Sequence, residues 1–399
     1  MNARIGEAAH GGNLRRAGIA GGWIIGGRLL GLGWTAALVA ILGIGQYGTY
    51  AIAFALAATV AAPLDNPFGV RSLRVSNDRF LSERSARAIL GMLLVIAGAL
   101  LYAEVFLVGF ALIVAGGEIA FNAVKSAALR DGYPNVVQRM DVVRQFASIV
   151  LGLGCLVLIH GSGLALACAF YLAPYLVVIV IAAARTIRAR PVLPAPPREV
   201  AILFVDALAL AGYIQGDVLL LGALAGPIVA GVYSLASLVA LAAASLAQMY
   251  AQTFHERLRA ASGHHSAGPA TRTTALLGIV LGAGVAAVGG IVLASGLNSA
   301  LGLTLLVMSV FTALRSATMV AQTILYVRGG DTRRVAGAVV VTIIKLILIA
   351  VLFRLGAVGA ALACVAAELL LVAWFTRLAY HDQRSPVLGG IATTSEALS

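Results

Sequence analysis

Residues 42–55 read LGIGQYGTYAIAFA, and residues 224–238 read LAGPIVAGVYSLASL. Each stretch places a glycine-containing turn before a Gly-x-Tyr-small sequence and an apolar run, so that Tyr50 corresponds to Tyr233. The two stretches occupy matching places in the two halves of the chain. Such an internal echo predicts two halves of similar structure, a known plan of polytopic membrane proteins.

The composition of the whole chain is that of a membrane protein. Hydrophobic residues make up 61% of the 399 residues and charged residues only 11%, whereas a soluble domain carries about 25% charged residues. Many apolar runs reach the roughly 20 residues that a helix needs to cross a bilayer. They lack the apolar–polar alternation of transmembrane β-barrel strands. The sequence therefore predicts an all-α polytopic membrane protein.

The net charge of +12 comes from basic residues in short segments between the apolar runs. This distribution favours charge beside a membrane over a nucleic-acid footprint, so no nucleic-acid partner is expected. The three cysteines lie inside apolar runs without the spacing of a metal site or a disulfide framework. No metal and no cofactor are expected.

Hydropathy predicts about twelve transmembrane helices and no folded aqueous domain. The predicted spans are 17–42, 47–69, 86–102, 105–128, 135–159, 163–184, 200–224, 228–250, 273–295, 298–326, 335–353 and 357–379. A proline-rich segment, RARPVLPAPPREV at 188–200, falls between the sixth and seventh spans, where proline prevents helix continuation. The predicted domains are a six-helix lobe at 1–187, a linker at 188–199, a second six-helix lobe at 200–381 and a tail at 382–399.

The basic residues predict the orientation of the spans. Under the twelve-span assignment most of the 28 lysines and arginines fall on one side, and cationic loops stay in the cytoplasm. Both termini and the linker are therefore predicted to be cytoplasmic. The first run follows Arg15 and Arg16 but is too long for a cleavable signal peptide, which indicates a retained first span.

Three stretches resemble a known family. They are YGTYAIAFA at 47–55, its echo within 216–237, and the closing pattern of a basic turn, an apolar span and a small-residue span at 329–371. They are similar to the multidrug/oligosaccharidyl-lipid/polysaccharide (MOP) exporter superfamily, in particular its Wzx-type polysaccharide flippases.

The resemblance implies a MATE-like fold with two parallel six-helix lobes around a central cavity. It also implies a flippase in the bacterial inner membrane that works by alternating access. Its substrate would be an undecaprenyl-pyrophosphate-linked oligosaccharide, a unit of O-antigen, capsule or exopolysaccharide. The expected partners are this lipid-linked oligosaccharide, membrane lipids, and the polysaccharide polymerase and glycosyltransferases of the same pathway.

Other functions remain open at this stage. A cation-coupled drug or metabolite antiporter of the same superfamily would favour an acidic site in the first lobe. A peptidoglycan-precursor flippase usually has two more helices than the twelve predicted. A polytopic glycosyltransferase or ligase needs catalytic carboxylates or a large loop, and the sequence has no Asp-x-Asp pair and no Walker-type Gly-Lys-Ser/Thr. No enzyme activity is therefore expected.

Ionisable residues within spans mark the candidate sites, because each costs about 2.5–3.5 kcal/mol at mid-membrane unless it has a partner or water. Arg28 lies in the first span, which lines the cavity in the family, so the resemblance implies a pyrophosphate-binding role. The alternative is a structural pair between Arg28 and Glu118. Arg315 is a second candidate cation for the substrate, contributed by the other lobe.

The remaining candidates are acidic or already matched in charge. Lys345 and Glu368 lie at similar depth on adjacent helices, which predicts a structural ion pair. Asp206, Asp217 and Glu118 are candidates for a coupling proton or cation. Tyr47, Tyr102, Tyr326 and Tyr380 lie near predicted interfaces, as in an aromatic belt.

The second span ends in PLDNP at 63–67. Its two prolines cannot donate backbone hydrogen bonds and predict irregular backbone at the cytoplasmic end. Asp65 and Asn66 are therefore candidates for substrate binding at a cytoplasmic mouth between the lobes. A plain helix terminus is the alternative.

Overall fold

The apolar runs form long helices in the computed structural model of the chain. The structure describes residues 2–72, 74–131, 133–261, 263–328 and 331–381, and no strand occurs among them. The helices are α1 (Asn2–Arg71), α2 (Asn77–Leu101), α3 (Phe106–Arg130), α4 (Pro134–Leu158), α5 (Leu164–Thr186), α6 (Pro197–Ala225), α7 (Pro227–Gln252), α8 (His255–Ala260), α9 (Thr271–Ala294), α10 (Ser299–Arg328), α11 (Asp331–Leu352) and α12 (Gly356–Thr376).

Ten helical stretches within the described residues are long and apolar enough to cross a membrane. Two of them contain a break that divides them into two spans. The first, Gly26–Arg71, is broken at Gly43, and the second, Arg333–Tyr380, is broken by the short 3₁₀ turn Phe353–Leu355. With these breaks the stretches correspond to the twelve predicted spans, and the chain is an all-α, multi-pass membrane protein.

The two halves bend at equivalent glycines. Gly43 has φ 82° and ψ 166°, and Gly226, between α6 and α7, has φ 85° and ψ 174°. Both conformations lie in the positive-φ region that only glycine adopts readily. The sequence echo therefore encodes the same reversal of chain direction in each half, and the turn aligns Tyr50 with Tyr233.

The helices form two groups. Helices α2, α3, α4 and α5 pack with α1, and α9 to α12 pack with α6 and α7. Both parts of the kinked α1 also lie beside α6 or α7, so the two groups meet along α1, α6 and α7. The domain boundaries around 188–199 remain a prediction, and the predicted tail at 382–399 lies outside the described residues.

Two helix ends differ from the sequence prediction. Pro63 and Pro67 lie inside α1, whose non-helical backbone angles occur at Gly43, so the predicted irregular backbone at PLDNP was wrong. Both prolines are buried. Helix α2 begins at Asn77 rather than at 86, because its charged first turns form ion pairs instead of meeting lipid.

The alternation of the helices gives the bundle two ends. The basic end carries the turns at 72–76, 131–133 and 187–196 and the segment 253–270. The opposite end carries Gly43, Gly226 and the turns at 102–105, 159–163, 295–298 and 353–355. The basic end is the one that the charge distribution predicts to be cytoplasmic.

Candidate functional site

A cavity of about 520 Å³ lies between the two helix groups. It is lined by residues of both parts of α1, of α4 and α5, and of α6 and α7. Cavities of this size, with apolar walls and a few polar groups, are typical of small-molecule sites. The site thus forms where the two sequence halves meet, as the central cavity of the predicted fold requires.

Arg28 is the one basic residue that lines this cavity among the described residues. Its guanidinium donates a hydrogen bond to the Ser245 hydroxyl on α7, across the interface between the helix groups. Arg28 itself is exposed. No carboxylate forms an ion pair with it among the side chains that the structure describes. The planar donors of an arginine suit a phosphate group.

The predicted alternative for Arg28, a pair with Glu118, is wrong. Arg144 of α4 takes that place, with Nη2 lying 2.7 Å from Glu118 Oε1. The Tyr175 hydroxyl donates to the same oxygen at 2.7 Å. Glu118 is therefore neutralised inside the first helix group, and Arg28 is left facing the cavity.

Two of the other cations in this half are also paired. Lys125 of α3 forms an ion pair with Asp141, which is the one acidic residue that lines the cavity within the described chain. Arg87 of α2 binds Asp65 through Nε at 2.6 Å and Nη2 at 2.5 Å, and Asn122 donates to Asp65 at 2.8 Å. The predicted substrate residue Asp65 is thus occupied by a structural pair, because the helical backbone at 63–67 turns it toward α2 and α3.

The buried charges of the second half form one network. Lys345 Nζ lies 3.2 Å from Asp217 Oδ2, and Arg315 Nη1 lies 3.4 Å from Glu368 Oε1. The Tyr213 hydroxyl donates to Glu368, and its main-chain carbonyl accepts from Lys345. The residues Asp217, Lys345 and Glu368 have side chains that are at most 4% exposed.

This network corrects two predictions. Lys345 and Glu368 do not pair with each other. Lys345 pairs with Asp217 on α6, and Glu368 pairs with Arg315 on α10. Arg315 is buried against Glu368 and the Tyr213 ring and does not line the cavity. It therefore adds no second cation to the site in this structure.

The coupling-ion candidates have different surroundings. Asp217 receives bonds from Lys345, Tyr233 and Cys364 on the single oxygen Oδ2. The Lys345 ammonium group thus already neutralises the charge of Asp217. Asp206 is half-buried on α6 and has no ion pair within the described residues. The assignment of a coupling ion remains a prediction.

The opposite end of the cavity is closed by close contact between the repeats. The Tyr47 hydroxyl lies 3.2 Å from the Ser234 hydroxyl, so Tyr47 belongs to the lobe interface and not to the predicted aromatic belt. A Cβ atom on Gly231 would lie 2.7 Å from the Ile44 carbonyl oxygen and 3.0 Å from Gly48 Cα. Only glycines allow backbones to approach so closely.

The basic end is held by polar contacts between the helix groups. Asn66 Nδ2 donates to the Leu203 carbonyl of α6 at 2.8 Å. Arg71 Nη1 lies 2.5 Å from Glu199 Oε2 at the start of α6, and its Nη2 lies 3.0 Å from Glu83 Oε1. These contacts join α1 to α6 on the side where the sequence placed a mouth.

Equivalent positions of the two halves carry different chemistry. Trp34 on α1 stacks on Tyr171 with ring centroids 5.4 Å apart and lies edge-on to Tyr50 at 6.1 Å. Asp217 holds the matching place on α6, nine residues before its glycine turn as Trp34 is, and it bonds to Tyr233. The first half therefore presents rings to the cavity where the second half buries charge.

Sequence reasoning missed the neutral polar residues of the site. Gln138, Gln145, Gln215, Ser237 and Ser245 line the cavity or bond to its arginine. Amide and hydroxyl side chains within apolar spans were the available signal, since such groups need partners in a membrane. These residues are uncharged, so they were not among the ionisable candidates.

No family model matches the chain, and no curated protein matches it in sequence. Its fold, however, is shared with solved structures of membrane transporters. The lipid II flippase MurJ in an inward closed conformation superposes with a TM-score of 0.70 at 12% identity, covering 90% of this chain and 86% of that one. An inward-facing MATE-family multidrug resistance transporter of the MOP superfamily gives 0.63 at 15% identity, covering 88% and 94%. A MATE structure in complex with MaL6 gives 0.54 at 14% identity, covering 90% and 93%. The chain thus has the fold that these flippase and MATE transporters share.

Proposed function

We propose that this protein is a flippase that moves a polyprenyl-pyrophosphate-linked oligosaccharide across the bacterial inner membrane. The observation that carries the proposal is Arg28. Among the described residues it is a cavity-lining cation bonded only to a neutral hydroxyl, whereas Arg87, Arg144 and Arg315 all have carboxylate partners. A phosphate-bearing headgroup supplies the anion that this site lacks.

The location of the cavity fits a lipid-linked substrate. A charged, hydrated headgroup cannot cross hydrocarbon unaided. A cavity between two similar lobes gives it a polar path while the lipid tail stays outside. The glycine contact at one end and the Arg71–Glu199 pair at the other are the two places where rocking lobes would separate.

The fold comparisons support a transporter of this architecture. MurJ is described as a lipid II flippase, and the inward-facing MATE structure is described as a multidrug resistance transporter. A drug antiporter is the second candidate on that ground. Within the described residues, the one acid lining the cavity, Asp141, is already neutralised by Lys125, so the charge of Arg28 is left unmatched, which favours an anionic substrate.

The further details follow from the same proposal. Both termini face the cytoplasm, the headgroup enters from the basic end, and the protein is a carrier rather than a glycosyltransferase. Glycosyltransferases that build the lipid-linked unit and a polymerase that consumes it are its proposed partners.

Reconstituted vesicles test this function. The purified protein is placed in liposomes with undecaprenyl-pyrophosphate N-acetylglucosamine, and a lectin outside the vesicles reports the sugar that reaches the outer leaflet. We expect lectin binding to exceed that of protein-free vesicles. Ethidium transport driven by a cation gradient, with no movement of the lipid-linked sugar, would instead establish the antiporter.

A further inference from the structure

A layer of uncharged side chains, three of them polar and one aromatic, lies at similar depth in the cavity. Counted at 1.5 Å per residue from the opposite end, Gln215, Ser237, Thr35 and Phe54 all lie roughly 12–16 Å deep. Arg28 lies roughly 22 Å deep on the same scale. Its guanidinium bonds to Ser245, which lies roughly 28 Å deep on that scale, so Gln215, Ser237 and Phe54 differ in depth from the arginine by roughly 6–12 Å.

Two polar groups of this layer are free to bind a ligand. Gln215 of α6 and Ser237 of α7 line the cavity, and neither side chain has a hydrogen-bond partner among the described residues. An amide and a hydroxyl each offer both a donor and an acceptor. That is the complement of a sugar hydroxyl, which also donates and accepts.

An aromatic ring completes the layer from the other half of the chain. Phe54 lines the cavity with 38% of its surface exposed, and its ring centroid lies 5.9 Å from that of Tyr50. The C–H face of a pyranose packs against such a ring. Aromatic walls with a few placed polar groups are the usual composition of a small-ligand site.

The layer lacks charge. Of the described residues that line the cavity, only Arg28 and Asp141 are charged, and Asp141 lies on α4 toward the basic end. An ionised sugar carboxylate in the layer would be desolvated without a cation beside it, which is costly.

We propose that this layer is a sugar subsite, which accepts an uncharged pyranose of the headgroup while Arg28 binds the phosphate. The inference rests on the proposed function and adds the class of sugar to it. The spacing of roughly 6–12 Å places the first sugar after the phosphates beside Gln215, Ser237 and Phe54. Acidic sugars are excluded from that position.

Binding measurements with three probes test the subsite. The full-length protein in lipid nanodiscs is titrated with short-chain polyprenyl pyrophosphate carrying no sugar, N-acetylglucosamine or glucuronic acid. The readout is tryptophan fluorescence, since Trp23 and Trp34 both line the cavity. We expect the N-acetylglucosamine probe to bind about tenfold more tightly than the sugarless probe, and the glucuronic acid probe to bind no better than the sugarless one.

Variants separate the subsite from the rest of the cavity. In the double variant Gln215→Leu/Ser237→Ala, the N-acetylglucosamine probe should bind about as tightly as the sugarless probe. The affinity for the sugarless probe should not change. Gln322→Leu, the same change on α10 and outside the lining of the cavity, should keep the tenfold ratio. Thermal unfolding in the same nanodiscs confirms that each variant is folded.

The outcomes distinguish the two proposals. Equal binding of the sugar-bearing and sugarless probes by the unaltered protein contradicts the sugar subsite alone. An unchanged tenfold ratio in the double variant contradicts it as well. Failure of every pyrophosphate probe to bind contradicts the proposed function itself.

Discussion

Gly48 and Gly231, which hold equivalent positions in the two sequence repeats, lie in backbone contact at the interface of the lobes. A Cβ atom on Gly48 would overlap the Pro227 carbonyl oxygen and lie 3.1 Å from the Gly231 nitrogen. This contact closes the cavity at the opposite end. It also explains why the echo at 42–55 and 224–238 is a glycine pattern: the repeats meet each other.

Gly48→Ala is expected to open the opposite end, because the added methyl group forces α1 away from α7. Gly45→Ala is the matched control, since its Cβ would meet only the flexible Ile228 side chain at 3.4 Å. The measurement is the labelling rate of a Ser234→Cys reporter by a membrane-impermeant maleimide. We expect the rate to rise severalfold with Gly48→Ala and to stay unchanged with Gly45→Ala.

The native cysteines do not obscure this measurement, because Cys155, Cys168 and Cys364 are all buried. Equal labelling in the two glycine variants would contradict a closing role for the contact.

The fold could be predicted from the sequence because its signals are local. Apolar runs gave the spans, and the glycine turns gave the repeat. The ion pairs could not be predicted in the same way. Helical rise gives the depth of Lys345 and Glu368, but the rotation of each helix and the identity of its neighbours decide the partner. The structure places Asp217 and Arg315 in those roles.

The same limit applied to the site. Arg28 was predicted as a cavity residue because the family resemblance implies that the first span lines the cavity, and the structure shows it lining the cavity. Asp65 was predicted to line the cytoplasmic mouth but is paired with Arg87. Gln215 and Ser237 carry no charge, so the cost of placing a charge in the membrane did not identify them as candidates.

Lys345→Met is expected to destabilise the protein strongly. It leaves the Asp217 carboxylate buried without its cation, and breaking one side of a buried pair costs about 3–5 kcal/mol. The double variant Lys345→Met/Asp217→Asn removes both charges and should recover most of the loss. Thermal unfolding of the three proteins in detergent, followed by circular dichroism, measures the difference.

The comparison between variants decides this prediction. A double variant that is no more stable than Lys345→Met would show that the pair does not balance the charge of Asp217.

Glu199→Gln is expected to loosen the basic end. The change removes the ion pair with Arg71 across the lobes, while the Arg71–Glu83 pair within the first lobe remains. A Gln138→Cys reporter at that end of the cavity should then react severalfold faster with a maleimide added from the cytoplasmic side.

Arg74→Ala is the control for this change. The Arg74 side chain is 65% exposed, and its contact with Glu199 is long, at 3.5 Å. Exposed pairs contribute little, about 0–1 kcal/mol, so the labelling rate should stay near that of the unaltered protein. If Arg74→Ala accelerates labelling as much as Glu199→Gln does, the Arg71–Glu199 pair does not hold the basic end closed.

The central claim is that Arg28 binds the phosphate of a lipid-linked sugar in the cavity between the lobes. The direct measurement is the rate at which undecaprenyl-pyrophosphate N-acetylglucosamine reaches the outer leaflet of vesicles containing Arg28→Ala, Arg28→Lys or Arg74→Ala protein at equal amounts. Arg28→Ala should abolish protein-dependent transfer, Arg28→Lys should retain part of it because the charge remains without the planar fork, and Arg74→Ala should transfer normally. Normal transfer by folded Arg28→Ala protein would contradict the account.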